Sequence, residues 1–243
     1  MVLQRDLHSL ARICIKKSCN LQECKPGMKK VIYDGAMPDP LPGFENITRY
    51  WDERNGLYAA KLGPGEFYVS THGEMITTVL GSCVAACIRD PKTGIGGMNH
   101  FMLPTIVFEN KDWEGTPVSP ETRYGNIAME RLINVIMSNG GNRKNLEIKL
   151  FGGGKMFNVS DSMDVGLKNI EYVKQYIVTE GFTIKSGDLG GTYPRKIQYY
   201  PASGRVRMKK LYKIHNDTIV RREIKYNETL SNIPPEGTVE IFK

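Results

Sequence analysis

The 243-residue chain lacks the features of a secreted or membrane-anchored protein. Its first 24 residues mix charged side chains with short apolar steps, and no continuous apolar stretch follows the charges. A signal peptide or an anchor needs such a stretch, so we expect neither, and we expect a cytoplasmic protein. The five cysteines are an odd number, so at least one thiol is unpaired. Such usage is typical of a reducing compartment rather than of a disulfide framework.

Metal-ligand and nucleotide-binding spacings are also missing. Cys14, Cys19 and Cys24 recur every five residues, and no pair has the Cys-x2-Cys spacing of a structural zinc site. The glycine run at residues 151–155, FGGGK, lacks the spacing of a phosphate-binding loop, and Met156 stands where that loop requires a hydroxyl side chain. We therefore expect no metal and no cofactor.

Charge is present but does not identify a partner. The formal net charge is +7, and basic residues gather at 205–213 and 221–225. These runs lack the aromatic interleaving or zinc spacing of a nucleic-acid module, so we interpret them as solvated faces and expect no nucleic-acid partner. Hydrophobic residues at 40% and charged residues at 24% are ordinary for a globular protein, and we expect no membrane insertion.

The chain divides into three parts by composition. Residues 1–57 have little periodicity and contain a proline-rich link at 37–43, so we expect an N-terminal extension. Residues 58–213 carry strand-like and helix-like runs and form the expected domain. Residues 214–243 hold short apolar runs between Asn and Pro, and we expect a tail of marginal structure.

Inside the domain, strands and helices follow an α+β order. Residues 83–88, CVAACI, are apolar at every position, which predicts a central strand covered on both sides. Residues 119–136 begin with Ser-Pro-Glu, a helix start, and residues 165–179 have a second helical stripe. The strands do not alternate regularly with the helices, so a repeated βαβ winding is not expected.

Cys83 is the candidate nucleophile. It follows Gly81 and Ser82 directly, and a tight turn of this kind presents a sulfur at a strand end and directs backbone N–H groups to the same place, as an oxyanion hole requires. Gly81 and Ser82 are therefore the candidate positioning residues. The alternative is that Cys83 is a small core residue, which is our interpretation of Cys87.

His100 is the candidate base. Residues 83–89 and 97–103 predict an antiparallel hairpin whose loop, centred between Pro91 and Lys92, places Cys83 directly opposite His100. A nearby imidazole can accept the proton of a thiol whose pKa is otherwise about 8.5. The alternative for His100 is a hydrogen-bonded core histidine.

Three assignments remain open from the residues alone. Thr77 and Thr78 are neighbours in the preceding strand, and either hydroxyl can orient the imidazole or contact the substrate. His72 is a second candidate base, although His72-Gly73 is typical of a turn. The glycine cluster at 187–191 fits either a ligand contact or a strand-to-strand turn.

Four motifs occur in one order between residues 60 and 212: TTVLGSCV at 77–84, GMNHFMLP at 97–104, FGGG at 151–154 and GDLGG at 187–191. In this set and order the chain resembles the CheD family of chemoreceptor glutamine deamidases. The resemblance implies a catalytic cysteine at Cys83, a catalytic histidine at His100 and an assisting threonine at Thr77, six residues before the cysteine. It also implies an α/β sandwich, with a mixed or antiparallel β-sheet and two main helices packed on it, similar to the toxin-type deamidases.

The implied reaction converts specific glutamines of methyl-accepting chemoreceptors to glutamate, with ammonia release, through a thioester on the cysteine. A non-catalytic docking partner of a CheC-type chemotaxis phosphatase is the alternative from another class. A cysteine protease or a transglutaminase is a third hypothesis. Cys83→Ala separates the enzyme from the docking protein, because a docking protein keeps its function without the thiol.

Overall fold

The computed structural model describes residues 12–14, 28–30, 37–103, 120–156, 164–212 and 217–231. Within these ranges the strands are β1 (Arg12–Cys14), β2 (Met28–Lys30), β3 (Thr48–Asp52), β4 (Leu57–Lys61), β5 (Phe67–Ser70), β6 (Met75–Leu80), β7 (Val84–Arg89), β8 (Gly96–Asn99), β9 (Glu147–Gly152), β10 (Ile184–Leu189), β11 (Arg195–Tyr200) and β12 (Arg205–Lys210). The helices there are α1 (Pro120–Ser138), α2 (Val165–Thr179) and α3 (Asp217–Ser231). Cys19 and Cys24 lie outside the described residues.

Two five-stranded sheets form the body of the protein. The first has the order β10-β9-β7-β8-β5 and the second the order β12-β11-β6-β4-β3. Each sheet is mixed, because β9 and β10 pair in parallel in the first and β4 and β6 in the second, while the other pairs are antiparallel. Strands β1 and β2 form a separate parallel pair. The expected α+β class is confirmed.

Strand β7 lies in the middle of the first sheet and is covered on both sides, as its sequence predicts. All residues from Val84 to Ile88 are at most 1% exposed. The main hydrophobic cluster joins residues of both sheets with residues of α1 and α2, and both of these helices contact β7. An apolar strand with no polar face needs this double cover.

Helix α2 occupies the predicted residues, and both of its ends carry capping signals. The Asp164 side chain accepts a hydrogen bond of 3.2 Å from the N–H of Leu167, which caps the first turn. At the other end Gly181 has a φ of 69°, a left-handed conformation that ends the helix. Of the helices in the described ranges, none has the length and apolar content to cross a membrane.

The expected N-terminal extension is partly integrated into the fold. Phe44 is 4% exposed and belongs to the main core cluster, and β3 pairs with β4 at the edge of the second sheet. Both precede the boundary placed at residue 57. Five-residue strands in a proline-containing region carry little periodicity, so this packing could not be read from the sequence.

The tail also contains regular structure. Helix α3 lies within residues 214–243, which were expected to be of marginal structure, while residues 232–243 are outside the described ranges. Its inward residues include Ile219 and Glu223, which are 7% and 2% exposed. They are four residues apart and therefore share one helix face. Sequence reasoning missed this stripe because a carboxylate stands at its centre.

Candidate active site

The turn at residues 81–83 connects β6 to β7, the central strands of the two sheets. All three of its carbonyl groups accept hydrogen bonds from elsewhere in the protein. Gly154 N–H donates to Gly81 O at 2.8 Å, Asn169 Nδ2 to Ser82 O at 2.9 Å, and Gly153 N–H to Cys83 O at 2.8 Å. These bonds fix the peptide planes of the turn and therefore the directions of its N–H groups.

The FGGG motif supports this turn. Gly152 has a φ of 115°, and a Cβ at this position would lie 2.1 Å from Cys83 O. Only glycine permits the backbone to approach so closely. The motif that resembles a phosphate loop therefore packs against the turn that carries Cys83.

The glycine cluster at 187–191 is hydrogen-bonded to the FGGG motif and to Lys155, the residue that follows it. Gly190 N–H donates to Gly152 O at 2.9 Å, and Lys155 N–H donates to Gly191 O at 2.8 Å. A Cβ at Gly187 would lie 2.1 Å from Leu150 O, so β10 also needs glycine to pack on β9. Close backbone contact accounts for this cluster. Strand β10 runs into the cluster as far as Leu189.

The β7–β8 hairpin has a different register from the one predicted. Val84 and Phe101 exchange two hydrogen bonds of 2.9 Å, and Cys87 pairs with Met98. This register puts Met102 across from Cys83 and puts His100 across from Ala85. The predicted direct opposition of Cys83 and His100 is therefore wrong by two residues. A two-residue shift keeps both side chains on the same face of the hairpin.

The loop explains the shift. Asp90 accepts hydrogen bonds from Lys92 N–H at 2.8 Å and from Asn142 N–H at 2.9 Å, and Asp90 N–H donates to Ile95 O at 2.9 Å. The loop is consequently centred one residue later than expected, at residues 92 and 93. The hydrogen bond from Asn142 joins the loop to a segment about fifty residues away, so it cannot be inferred from the sequence of the hairpin alone.

His100 is held through Nδ1 by the hydroxyl of Thr78. The Thr78 Oγ1 atom lies 2.7 Å from Nδ1 and donates its own proton to Leu62 O at 2.8 Å. A hydroxyl has one proton to donate, so Nδ1–H is the donor toward Thr78. Nε2 then carries the lone pair, and no hydrogen-bond partner for it lies among the described residues.

His100 is uncharged at neutral pH in this structure. It is completely buried, and burial lowers its pKa to about 3, with a further lowering from the nearby Arg222 guanidinium. A neutral imidazole with a free Nε2 can act as a proton acceptor.

Thr77 does not approach His100. Its hydroxyl donates to Ile197 O on the neighbouring strand β11, at 2.8 Å. Side chains alternate along β6, so Thr77 and Thr78 point to opposite faces of the sheet. The resemblance selected Thr77, whereas the structure brings Thr78 to the imidazole.

Glu223 of α3 occupies the N–H groups of the Gly81–Cys83 turn. Its carboxylate accepts hydrogen bonds from Gly81 N–H at 3.0 Å, Ser82 N–H at 3.0 Å and Cys83 N–H at 3.4 Å. The Ser82 hydroxyl donates to the same carboxylate at 2.7 Å. The candidate oxyanion site thus holds an anion supplied by the chain itself, and no sequence motif indicated it.

The thiol of Cys83 is protonated in this arrangement. Burial raises its pKa well above the ordinary value, and the adjacent Glu223 carboxylate raises it further, against a smaller lowering by Arg222. Cys87 is buried as well, and burial raises its pKa. Cys87 belongs to the main hydrophobic cluster, in agreement with its interpretation as a core residue.

A cavity of about 90 Å³ lies beside His100. Glu66, Tyr124 and Arg131 contribute to its lining, and the Tyr124 hydroxyl contacts that of Tyr226 on α3. Tyr124 thus connects the lining of the cavity with α3. In the part of the chain that the structure describes, no group of three or more His, Cys, Asp or Glu side chains is placed to hold a metal ion.

Comparison with known proteins identifies relatives along most of the chain. A family model described as CheD chemotactic sensory transduction matches residues 102–210. A protein of Halorhodospira halophila named probable chemoreceptor glutamine deamidase CheD is 53% identical over 207 residues, which are 85% of this chain and 95% of that protein. The alignment leaves out too few residues at either end of this chain to exclude Cys83 or His100, so its span includes both.

Two further relatives carry the same name. The Saccharophagus degradans protein is 47% identical over 86% of this chain and 96% of its own, and the Hahella chejuensis protein is 48% identical over 84% of this chain and 95% of its own. A solved structure, Bacillus licheniformis hypothetical protein YfiH, overlaps 51% of this chain and 49% of its own at 15% identity with a TM-score of 0.33, a level from which no fold assignment follows.

Proposed function

The chain belongs to the CheD family, and we propose that it is a cytoplasmic protein-glutamine deamidase of methyl-accepting chemoreceptors with Cys83 as nucleophile and His100 as base. The observation that carries the mechanism is the convergence of three N–H groups and one hydroxyl on a single carboxylate next to the Cys83 thiol. Such a donor set stabilises the oxyanion of an acyl-transfer intermediate.

The first half of the reaction forms a thioester. His100 Nε2 accepts the thiol proton, and the Cys83 thiolate attacks the carboxamide carbon of a glutamine side chain. The carbonyl oxygen becomes an oxyanion that takes the place of a Glu223 oxygen on the N–H groups of Gly81, Ser82 and Cys83. The imidazolium then protonates the amide nitrogen, the C–N bond breaks and ammonia leaves.

The second half hydrolyses the thioester. Water loses a proton to His100 Nε2 and attacks the thioester carbon, and the released Cys83 sulfur recovers the proton. The cavity beside His100, of about 90 Å³, has room for this water. The product is a glutamate side chain, and no metal or organic cofactor takes part.

Thr78 is the positioning residue in this mechanism. Its contact with Nδ1 keeps the lone pair on Nε2, the nitrogen that must accept the proton. A catalytic role for Thr77 remains a prediction from the resemblance. The similarity of the fold to toxin-type deamidases and a CheC-type phosphatase as partner remain predictions of the same kind.

The test is ammonia release from a purified cytoplasmic fragment of a chemoreceptor. We expect release by the wild-type protein and by Cys87→Ala, and none by Cys83→Ala. Cys87→Ala is the matched control, because both thiols are buried and unpaired. Peptide fragments without ammonia would indicate a protease, amine incorporation a transglutaminase, and inactivity of the wild-type protein on several receptors would leave the docking role.

A further inference from the structure

Helix α3 brings the chemical group of the reaction product into the active site. The product of glutamine deamidation is a glutamate side chain, and Glu223 is a glutamate side chain on the oxyanion donors. Its carboxylate also accepts a hydrogen bond of 3.4 Å from the backbone N–H of Cys83. The same four donors that would hold a reacting amide hold this carboxylate.

We propose that α3 is an internal product mimic, and that the groove it fills receives a substrate α-helix that presents the reactive glutamine. This inference rests on the proposed function. It assigns a role to a helix for which neither the motifs nor the relatives' names supply one.

The groove contacts one face of a helix. Ile219, four residues before Glu223, is 7% exposed, and Arg222 donates from Nη2 to Val79 O at 2.7 Å. Tyr226, three residues after Glu223, packs against Gly65, where a Cβ would lie 2.1 Å from the tyrosine hydroxyl oxygen. These positions lie on one helical stripe. A substrate helix would therefore meet the groove four residues before, one before and three after its glutamine.

Docked α3 closes the site against substrate. With α3 in place, Cys83 and His100 are both completely buried, and Glu223 itself is 2% exposed. A tethered segment acts at an effective concentration on the order of millimolar, so a substrate in solution competes with it at a disadvantage. The raised pKa of Cys83 adds to the inhibition, because the thiol rather than the thiolate faces the carboxylate.

A structural role for Glu223 is the competing explanation. A buried carboxylate that accepts four hydrogen bonds stabilises the turn, and its removal would then destabilise the protein without affecting chemistry. The two explanations differ in one respect: a product mimic becomes a substrate when its acid is replaced by an amide, whereas a structural group does not.

The experiment is therefore the Glu223→Gln substitution in the full chain. We expect Cys83 to hydrolyse the introduced amide, so that purified E223Q has the wild-type mass, with the roughly +1 Da conversion of amide to acid mapped to position 223. In E223Q combined with Cys83→Ala the amide should persist. Glu228→Gln is the matched control, because Glu228 lies on an exposed part of the same helix, and its amide should also persist.

A second variant tests the inhibition. Glu223→Ala should deamidate a chemoreceptor fragment about tenfold or more faster than the wild-type protein, because it lacks the competing carboxylate. Glu228→Ala should match the wild-type rate. An unchanged or lower rate in E223A would overturn the inhibitory role.

The outcomes separate this inference from the proposed function. If the wild-type protein deamidates the receptor fragment but the E223Q amide persists, the product mimic is wrong and the deamidase stands. If neither the receptor nor the E223Q amide is deamidated, the proposed function fails first, and the inference fails with it.

Discussion

Thr78 Oγ1 lies 2.7 Å from Nδ1 of His100, and this contact determines which imidazole nitrogen is basic. The hydroxyl donates its proton to Leu62 O at 2.8 Å, so it accepts from Nδ1–H. Thr78 belongs to the second sheet and His100 follows a strand of the first. The packing of the two sheets thus positions the imidazole that we propose as the base.

Thr78→Val should slow deamidation more than Thr77→Val. Loss of one hydrogen bond of about 1 to 1.5 kcal/mol to the imidazole lowers kcat by roughly tenfold. Valine preserves the β-branched shape, so the fold should be retained. Steady-state kinetics on a receptor fragment measures the effect, and Thr78→Ser should restore most of kcat because it restores the hydroxyl.

Thr77→Val is the control for that comparison. It removes the bond to Ile197 O and should lower the free energy of unfolding by about 1 kcal/mol with little effect on kcat. A large fall in kcat for Thr77→Val and none for Thr78→Val would show that the resemblance selected the right threonine.

The buried His100 predicts a loss of stability in acid. The imidazole titrates near 6.5 in an unfolded chain, whereas burial lowers its pKa to about 3 in the folded protein. Between these values the unfolded state binds more protons, so stability is present above about pH 6.5 and is lost as pH falls. The His100 contribution to the slope is at most about 1.4 kcal/mol per pH unit.

Urea unfolding at several pH values from 7 to 4 measures this slope. His100→Gln removes the titrating group and should flatten the curve by that amount. Equal slopes for the wild-type protein and His100→Gln would show that His100 is not held neutral by burial.

Cys83 should become more reactive when Glu223 is removed. Burial and then the Glu223 carboxylate raise the pKa of the thiol, so Glu223→Ala should move the midpoint of its pH–alkylation profile to lower pH. Iodoacetamide labelling followed by peptide mapping gives the rate at Cys83 itself. Cys87 in the same samples should label slowly in both proteins, and an unshifted Cys83 profile would argue against the electrostatic effect of Glu223.

Gly152→Ala should destabilise the protein and displace Cys83. The methyl group would lie 2.1 Å from Cys83 O at a φ of 115°, and we expect a loss of about 3 kcal/mol or more in the free energy of unfolding. Gly56→Ala is the matched control. Gly56 has a φ of 63°, and an added methyl group would meet nothing within 4 Å, so only the conformational cost of about 1 to 2 kcal/mol remains. Equal losses in the two variants would contradict the supporting role of FGGG.

Sequence reasoning located the elements with strong local signals. Helix α2, which ends before Gly181, and the doubly buried strand β7 are examples. Both depend on hydrophobic pattern and capping, which act over a few residues. Cys83 and His100 were selected from their local motifs in the same way.

The features that sequence reasoning missed depend on contacts between distant segments. The hairpin loop is anchored by the bond between Asp90 and Asn142, and the contact of Thr78 with His100 depends on which face of β6 meets the first sheet. Glu223 lies more than a hundred residues from the turn it contacts. The sequence signal that could have indicated it is the helical spacing of Ile219, Glu223 and Tyr226, which places a carboxylate between two hydrophobic side chains on one helix face.

The most direct measurement of the central claim is mass spectrometry of a chemoreceptor cytoplasmic fragment after incubation with the wild-type protein, Cys83→Ala or Cys87→Ala. We predict a roughly +1 Da change at discrete glutamines with the wild-type protein and Cys87→Ala, and none with Cys83→Ala, because the thioester route requires that thiol. The same change with Cys83→Ala would contradict the account, since the reaction would then not depend on Cys83.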